Sequence, residues 1–201
     1  VAAYRQVVQR FYPQLKDNPD YTAIINERQL ARLNGYLQDA QAKGARIVPI
    51  YPEAQGRRLP QSLVLDVNDD MKLMQDEIFG PLLPVLRYRT LDEALAFVNA
   101  RPKPLALYVF SDDEAFVQAV IGHTASGILR GARSSEPYHG KINGRNQHIL
   151  GTVVGKRERN APCIILIITH ISIRRKYGGR NSAVSQQVIA RSIFAEIIGA
   201  N

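Results

Sequence analysis

A thiolate nucleophile has one possible source in this chain, because Cys163 is its single cysteine. Cys163 precedes IILIITHISI, an apolar β-prone run that reads as a buried strand, and a cysteine packed there is inert. The four histidines, His123, His139, His148 and His170, show no metal-ligand spacing, and without a second cysteine no zinc site is expected. Gly151-Thr-Val-Val-Gly155-Lys156 approaches a phosphate-binding loop, but it is one residue short between the glycines and has Arg157 where a hydroxyl should hold magnesium. It reads as a turn. Arg174-Arg175-Lys176, with Tyr177 and Arg180, could bind phosphates and stack a base, although a short basic run is more often a solvated segment. The run Asp76-Glu-Ile-Phe-Gly-Pro81 carries a carboxylate and an aromatic, Glu77 and Phe79, two positions apart. By residue type alone, Glu77 is a solvated loop carboxylate and Phe79 an ordinary core aromatic.

The elements that would position these groups are well patterned up to Gly127. The opening VAAYRQVVQRFYP is an amphipathic helix with Tyr4, Val7, Val8 and Phe11 on one face and no signal-peptide apolar core, so the chain is expected to begin inside a longer protein. A second helix is expected from Asn26, whose side chain can cap while Gln29 reaches back. Leu30, Leu33, Leu37 and Ala40 share its face, Lys43 falls in the last turn and Gly44 ends it. RIVPIYP and SLVLDV read as strands. LLPVLRY is a strand followed by a capping box, Thr90 to Glu93, and a helix with Leu91, Ala94, Leu95 and Val98 inward. LALYVF repeats the pattern, with a box from Ser111 to Glu114 and a helix carrying Phe116, Ala119 and Val120. Strand, helix, strand, helix is the grammar of an α/β domain with a mainly parallel sheet. A third strand should follow Gly127, where Ile128-Leu129 is a weak candidate.

Charge divides the chain at the same place. The 201 residues carry a net +8, which taken whole suggests a nucleic-acid partner. Residues 1–127 hold 14 basic and 15 acidic residues, whereas residues 128–201 hold 12 basic and 3 acidic, with no Asp. With 45% hydrophobic and 22% charged residues, the composition excludes collagen-like, broadly disordered and disulfide-scaffold classes. The longest apolar run, Cys163 to Ile168, is too short to span a membrane. A lone cysteine fits a reducing, cytoplasmic location.

DEIFGP at Asp76 to Pro81, with DYTAIINERQLARL before it and RPKPLALYVFS and HTASG after it, resembles the aldehyde dehydrogenase superfamily, in particular the coniferyl aldehyde dehydrogenase branch. The resemblance covers residues 1–127 in the family's order. It implies part of an α/β catalytic domain that works beside a Rossmann-like cofactor domain. It also implies oxidation of a small-molecule aldehyde to a carboxylic acid with NAD or NADP, by a cysteine thiolate and a glutamate-activated water. Both of those residues lie upstream of the part matching Val1, so the isolated chain is expected to be inactive. Glu77 matches the glutamate that accepts hydrogen bonds from the nicotinamide ribose hydroxyls, since two carboxylate oxygens suit the two donors of a diol. Phe79 matches the aromatic residue beside the ribose and nicotinamide. Gly80 and Pro81 shape the turn presenting them. The parent enzyme is expected to be a homodimer or higher homo-oligomer, with no metal and no nucleic acid as partner.

The resemblance stops after HTASG, where ILRGARSSEPYHGKINGRNQ replaces the family's Gly-rich strand and loop. Residues 128–201 therefore read as a basic tail from a frame-shifted or wrongly joined translation. Two further readings compete with an enzyme fragment: a binding module that uses the basic tail on nucleic acid or acidic surfaces, and a non-catalytic subunit of an intact enzyme.

Overall fold

The spacing of Tyr4, Val7 and Val8 gives helix α1 (Ala2–Phe11) a buried face, while Phe11 at its end remains 38% exposed. The computed structural model in which this is seen describes residues 1–104, 106–111, 113–125, 128–132, 139–142, 152–157 and 162–168. They fall into two units, one formed by Val1–Pro84 and one beginning at Val85.

In the first unit, helix α2 (Glu27–Ala42) starts where expected: the Asn26 side chain accepts from the Gln29 N–H at 2.9 Å. The Gln29 side chain does not complete a capping box; its oxygen instead receives Arg32 Nε at 2.7 Å. The helix ends at Lys43, and Gly44 takes φ +94°, a left-handed conformation that glycine adopts without a Cβ clash. Leu33, Tyr36 and Ala40 are its buried residues, with Leu30 and Leu37 partly covered. Strands β1 (Arg46–Pro49) and β2 (Ser62–Leu65) pair antiparallel, Arg46 opposite Leu65 and Pro49 opposite Ser62, and β2 is buried throughout. A single helical turn, α3 (Lys72–Gln75), buries Leu73 and Met74.

Tyrosines fill much of this unit's interior, and their hydroxyls find partners, as buried polar groups must. Tyr4 donates to Gln61 Oε1 at 3.2 Å, Tyr21 to the Leu59 carbonyl at 2.6 Å and Tyr51 to the Tyr12 carbonyl. The Tyr12 and Tyr21 rings meet edge to face, with centroids 5.1 Å apart. Burial pushes the phenols of Tyr4 and Tyr21 well above their ordinary range.

Strand β3 (Leu82–Arg87) runs across the division. In the second unit, α4 (Leu91–Asn99) is capped by Thr90, which accepts from the Glu93 N–H at 3.2 Å, while Glu93 Oε2 accepts from the Arg89 N–H at 2.8 Å. Strand β4 (Ala106–Phe110) and helix α5 (Glu114–His123) follow. The expected cap at Ser111 moves two residues on. Asp113 accepts from the Phe116 N–H at 3.1 Å, and the buried Ser111 hydroxyl accepts from the Asp113 N–H at 3.1 Å. Asp caps as well as Ser, and its placement starts the helix at Glu114. Tyr88, Ala94, Leu95, Val98, Leu107, Val109, Phe116, Val117 and Val120 form one apolar cluster, with Leu91 packed against it. Complete burial of a Val, Leu or Phe contributes roughly 1.5–3 kcal/mol. Val117 takes the inward place expected of Ala119.

Strand β5 (Ile128–Ala132) is the strand expected after Gly127, and it pairs parallel to β4 through the α5 crossover. Three more strands follow, β6 (His139–Ile142), β7 (Thr152–Arg157) and β8 (Pro162–Ile168). The order in this unit is β3-β7-β8-β4-β5-β6. The expectation of a mainly parallel sheet is corrected here. Pairs β3·β7 and β4·β5 are parallel, but β7·β8, β8·β4 and β5·β6 are antiparallel, so the sheet is mixed. The chain between β7 and β8, and between β5 and β6, is too short for a parallel crossover, which takes about a dozen residues or more. The expected turn at Gly151 to Lys156 is likewise corrected, because Thr152–Arg157 is strand, in keeping with its β-branched Thr152, Val153 and Val154.

Candidate functional site

Glu77 and Phe79 lie in one loop between α3 and β3, and a polar stripe of α2 holds the segment that leads into it. Residues Gln29, Arg32, Tyr36, Asp39 and Lys43 recur at spacings of three and four, so they form one stripe along the helix. Each of the last four reaches the segment from Asp70 to Ile78. Lys43 Nζ donates to the Asp70 carbonyl at 2.5 Å and pairs with Asp39 at 2.8 Å. Asp39 Oδ2 accepts from the Lys72 N–H at 2.8 Å, at the start of α3. Tyr36 donates to Asp76 Oδ2 at 2.8 Å.

Arg32 makes the densest set of contacts. Its Nη1 donates to the Glu77 carbonyl at 2.9 Å and to the Tyr36 hydroxyl at 2.7 Å, its Nη2 donates to the Ile78 carbonyl at 2.6 Å, and Nε takes the Gln29 oxygen described above. The guanidinium carbon also lies 4.9 Å from the centroid of the Tyr36 ring. Burial raises the Tyr36 phenol, as does its bond to Asp76, while Arg32 opposes the rise. The bond from Lys43, then the Lys72 N–H, hold the Asp39 carboxyl below the usual carboxylate range.

What the loop presents follows from its backbone. Ile78 is buried at 5% exposure, Glu77 is half-buried and Phe79 is 57% exposed. Phe79 has φ +45°, a left-handed conformation uncommon for a residue with a bulky side chain. The plain reading of Phe79 as a core aromatic is therefore wrong: its ring is displayed. Nor is Gly80 the left-handed residue of the turn. A Cβ at Gly80 would sit 2.5 Å from Leu33 Cδ1 and 2.6 Å from Cδ2, so this glycine permits close approach to α2. Pro81 extends the anchoring, its carbonyl accepting from the Ser62 N–H at 2.9 Å.

Cys163 is in β8, in register with Lys156 of β7, and His139 is in β6. The His123 ring nitrogen lies 2.8 Å from the Ala119 carbonyl on the exposed end of α5. His148, His170 and the Arg174 to Arg180 segment lie outside the described residues. Among the described residues no group of three or more His, Cys, Asp or Glu could hold a metal ion, and no helix is long and apolar enough to cross a membrane.

The model of the aldehyde dehydrogenase family matches residues 1–159. The chain belongs to the aldehyde dehydrogenase family. The match runs past Gly127, where the sequence resemblance was read as stopping. A probable coniferyl aldehyde dehydrogenase of Pseudomonas aeruginosa is 58% identical over 147 residues, covering 70% of this chain and 31% of that protein. Among solved structures, the substrate-bound state of Staphylococcus aureus AldH aligns with a TM-score of 0.55 at 29% identity, over 94% of this chain and 42% of the other. An NADP-dependent glyceraldehyde-3-phosphate dehydrogenase of Bacillus halodurans, complexed with NADP, aligns with a TM-score of 0.51 at 26% identity over 61% and 27%. Solved members of this aldehyde dehydrogenase group thus hold NADP or NAD+. The chain spans 26–31% of the length of the curated relatives it matches.

Arg32 and Tyr36 were not singled out from sequence. The available signal was the recurrence of Gln29, Arg32 and Tyr36 beside Leu33, which marks a polar edge along an otherwise apolar face.

Proposed function

We propose that the protein to which this segment belongs oxidises an aldehyde, of the aromatic coniferyl type, to a carboxylic acid with NAD or NADP, and that Glu77 and Phe79 contact the cofactor. The observation that carries this reading is the displayed Phe79, held left-handed beside the half-buried Glu77 in the DEIFGP loop. These residues fit a nicotinamide riboside: a carboxylate offers two acceptors to a vicinal diol, and an exposed aromatic face can pack beside the ribose and ring. Bound NAD(P) would supply the acceptor for the hydride of the aldehyde. Glu77 orients the ribose through its oxygens, Phe79 limits movement of the ring, and the contacts from α2 keep both in place.

The family nucleophile and water-activating glutamate belong upstream of the stretch matching Val1, and Cys163 lacks the nucleophile's pattern. The 201-residue chain by itself is therefore proposed not to turn over. A homo-oligomeric parent enzyme in the cytoplasm completes the reading, supported by the family resemblance and the single cysteine.

Saturation-transfer NMR on the purified chain with NAD+ and with NADP+ tests the cofactor assignment. Transfer to the nicotinamide-ribose protons is expected for the wild type. Glu77→Gln should weaken it roughly tenfold, the effect of losing a charge-assisted acceptor. Equal transfer to both proteins would remove Glu77 from the cofactor site.

A further inference from the structure

The Arg32 guanidinium holds two successive peptide planes. The Glu77 carbonyl belongs to the plane joining residues 77 and 78, and the Ile78 carbonyl to the plane joining 78 and 79; Arg32 binds the first at 2.9 Å and the second at 2.6 Å. Fixing both planes against α2 constrains the torsions that lead into Phe79. Phe79 then turns left-handed at φ +45°. A bulky residue prefers extended or right-handed backbone, so this conformation has to be imposed from outside the residue. Gly80 packed on Leu33 imposes it from the C-terminal side, and Arg32 from the N-terminal side.

We propose that Arg32 is a positioning residue, whose two bonds to the Glu77 and Ile78 carbonyls hold Phe79 left-handed and so set the relative placement of the Glu77 carboxylate and the Phe79 ring. The proposal builds on the cofactor role argued above, and it says that Arg32 acts through the main chain and not by touching the cofactor. The planar fork of arginine suits this task. It directs donors to two acceptors at once, and its side chain is itself oriented by Gln29 and by the Tyr36 hydroxyl and ring. Lysine would carry the charge without that fixed geometry.

The test uses the 201-residue chain and compares Arg32→Met, Arg32→Lys and Tyr36→Phe with the wild type. Amide hydrogen exchange and the Cα chemical shift of Phe79 are read without cofactor. Arg32→Met is expected to speed exchange at Ile78, Phe79 and Gly80 by about tenfold or more, as loss of charge-assisted bonds predicts, and to move the Phe79 shift from left-handed toward extended values. Protection in α1 and β2 should stay at the wild-type level. Arg32→Lys should restore part of the effect, and Tyr36→Phe, which keeps both carbonyl bonds, should leave the Phe79 shift in place. An unchanged Phe79 shift in Arg32→Met overturns the proposal. So does a rise in exchange shared evenly by residues 1–84, the signature of a general structural role. Saturation transfer from NAD+ then separates the two claims. No transfer to the wild type defeats the cofactor reading while the loop measurements still decide what Arg32 does. Full transfer to an Arg32→Met chain with a rearranged loop defeats the link between Arg32 and the cofactor contact.

Discussion

Phe79 shows how a single torsion can mark a residue held in place by its surroundings. A left-handed non-glycine residue costs roughly 1–2 kcal/mol, and the surroundings must offset it. Leu33, fully buried, provides part of that support by leaving no room for a Cβ at Gly80. Gly80→Ala is therefore expected to destabilise the chain by about 1–3 kcal/mol, the usual effect of overpacking a filled interior, since Leu33 has little freedom to move. Urea unfolding measures this; a midpoint matching the wild type would show that α2 and the loop yield together. Glu77 and Phe79 were legible because the order of residues from Asp76 to Pro81 resembles a family pattern. The strain was not legible, because φ at Phe79 depends on contacts made by residues far away in the chain.

At the level of elements, α2 holds the segment that carries the candidate site. Its cap at Asn26 is local chemistry, three residues across, and could be read directly. Its polar stripe could be seen as a pattern but not assigned, since Arg32 meets the Glu77 carbonyl across 45 positions of sequence. Farther along the stripe, Asp39 is held below its ordinary pKa of 3.8 by Lys43 and the Lys72 N–H. A depressed carboxyl contributes its stabilisation above the unfolded pKa and loses it as pH falls through the lower folded value. Asp39→Asn should thus lower the melting temperature at neutral pH, and the difference should shrink as pH drops below about 3.8, the range where the wild-type carboxylate is progressively protonated. A difference that is constant between neutral and strongly acidic pH would show that the ionised form is not what matters. The cap at Ser111 illustrates the converse error: two capping residues stood near each other, and the hydroxyl was used to shape the turn before the helix.

Across the molecule, the change in charge at Gly127 remains the sharpest discontinuity in the sequence, with 3 acidic residues against 12 basic ones after it. The family match continues to residue 159, and described strands continue to Ile168. We propose that a change of reading frame lies within 128–201, and translating the underlying nucleotides in the other two frames is expected to yield a Gly-rich strand and loop of family type. Their absence from both frames would make the basic sequence genuine. The sequence by itself determined helices α1, α2, α4 and α5, the caps at Asn26 and Thr90, the strands up to β5 and the family, because all of these rest on periodicity, short-range hydrogen bonding or ordered motifs. Only the tertiary structure decided the mixed sheet, the exposure and left-handed backbone of Phe79, and the partners of Arg32. These depend on which distant segments meet, and neither the direction of a paired strand nor the partner of a guanidinium is encoded in spacing along the chain.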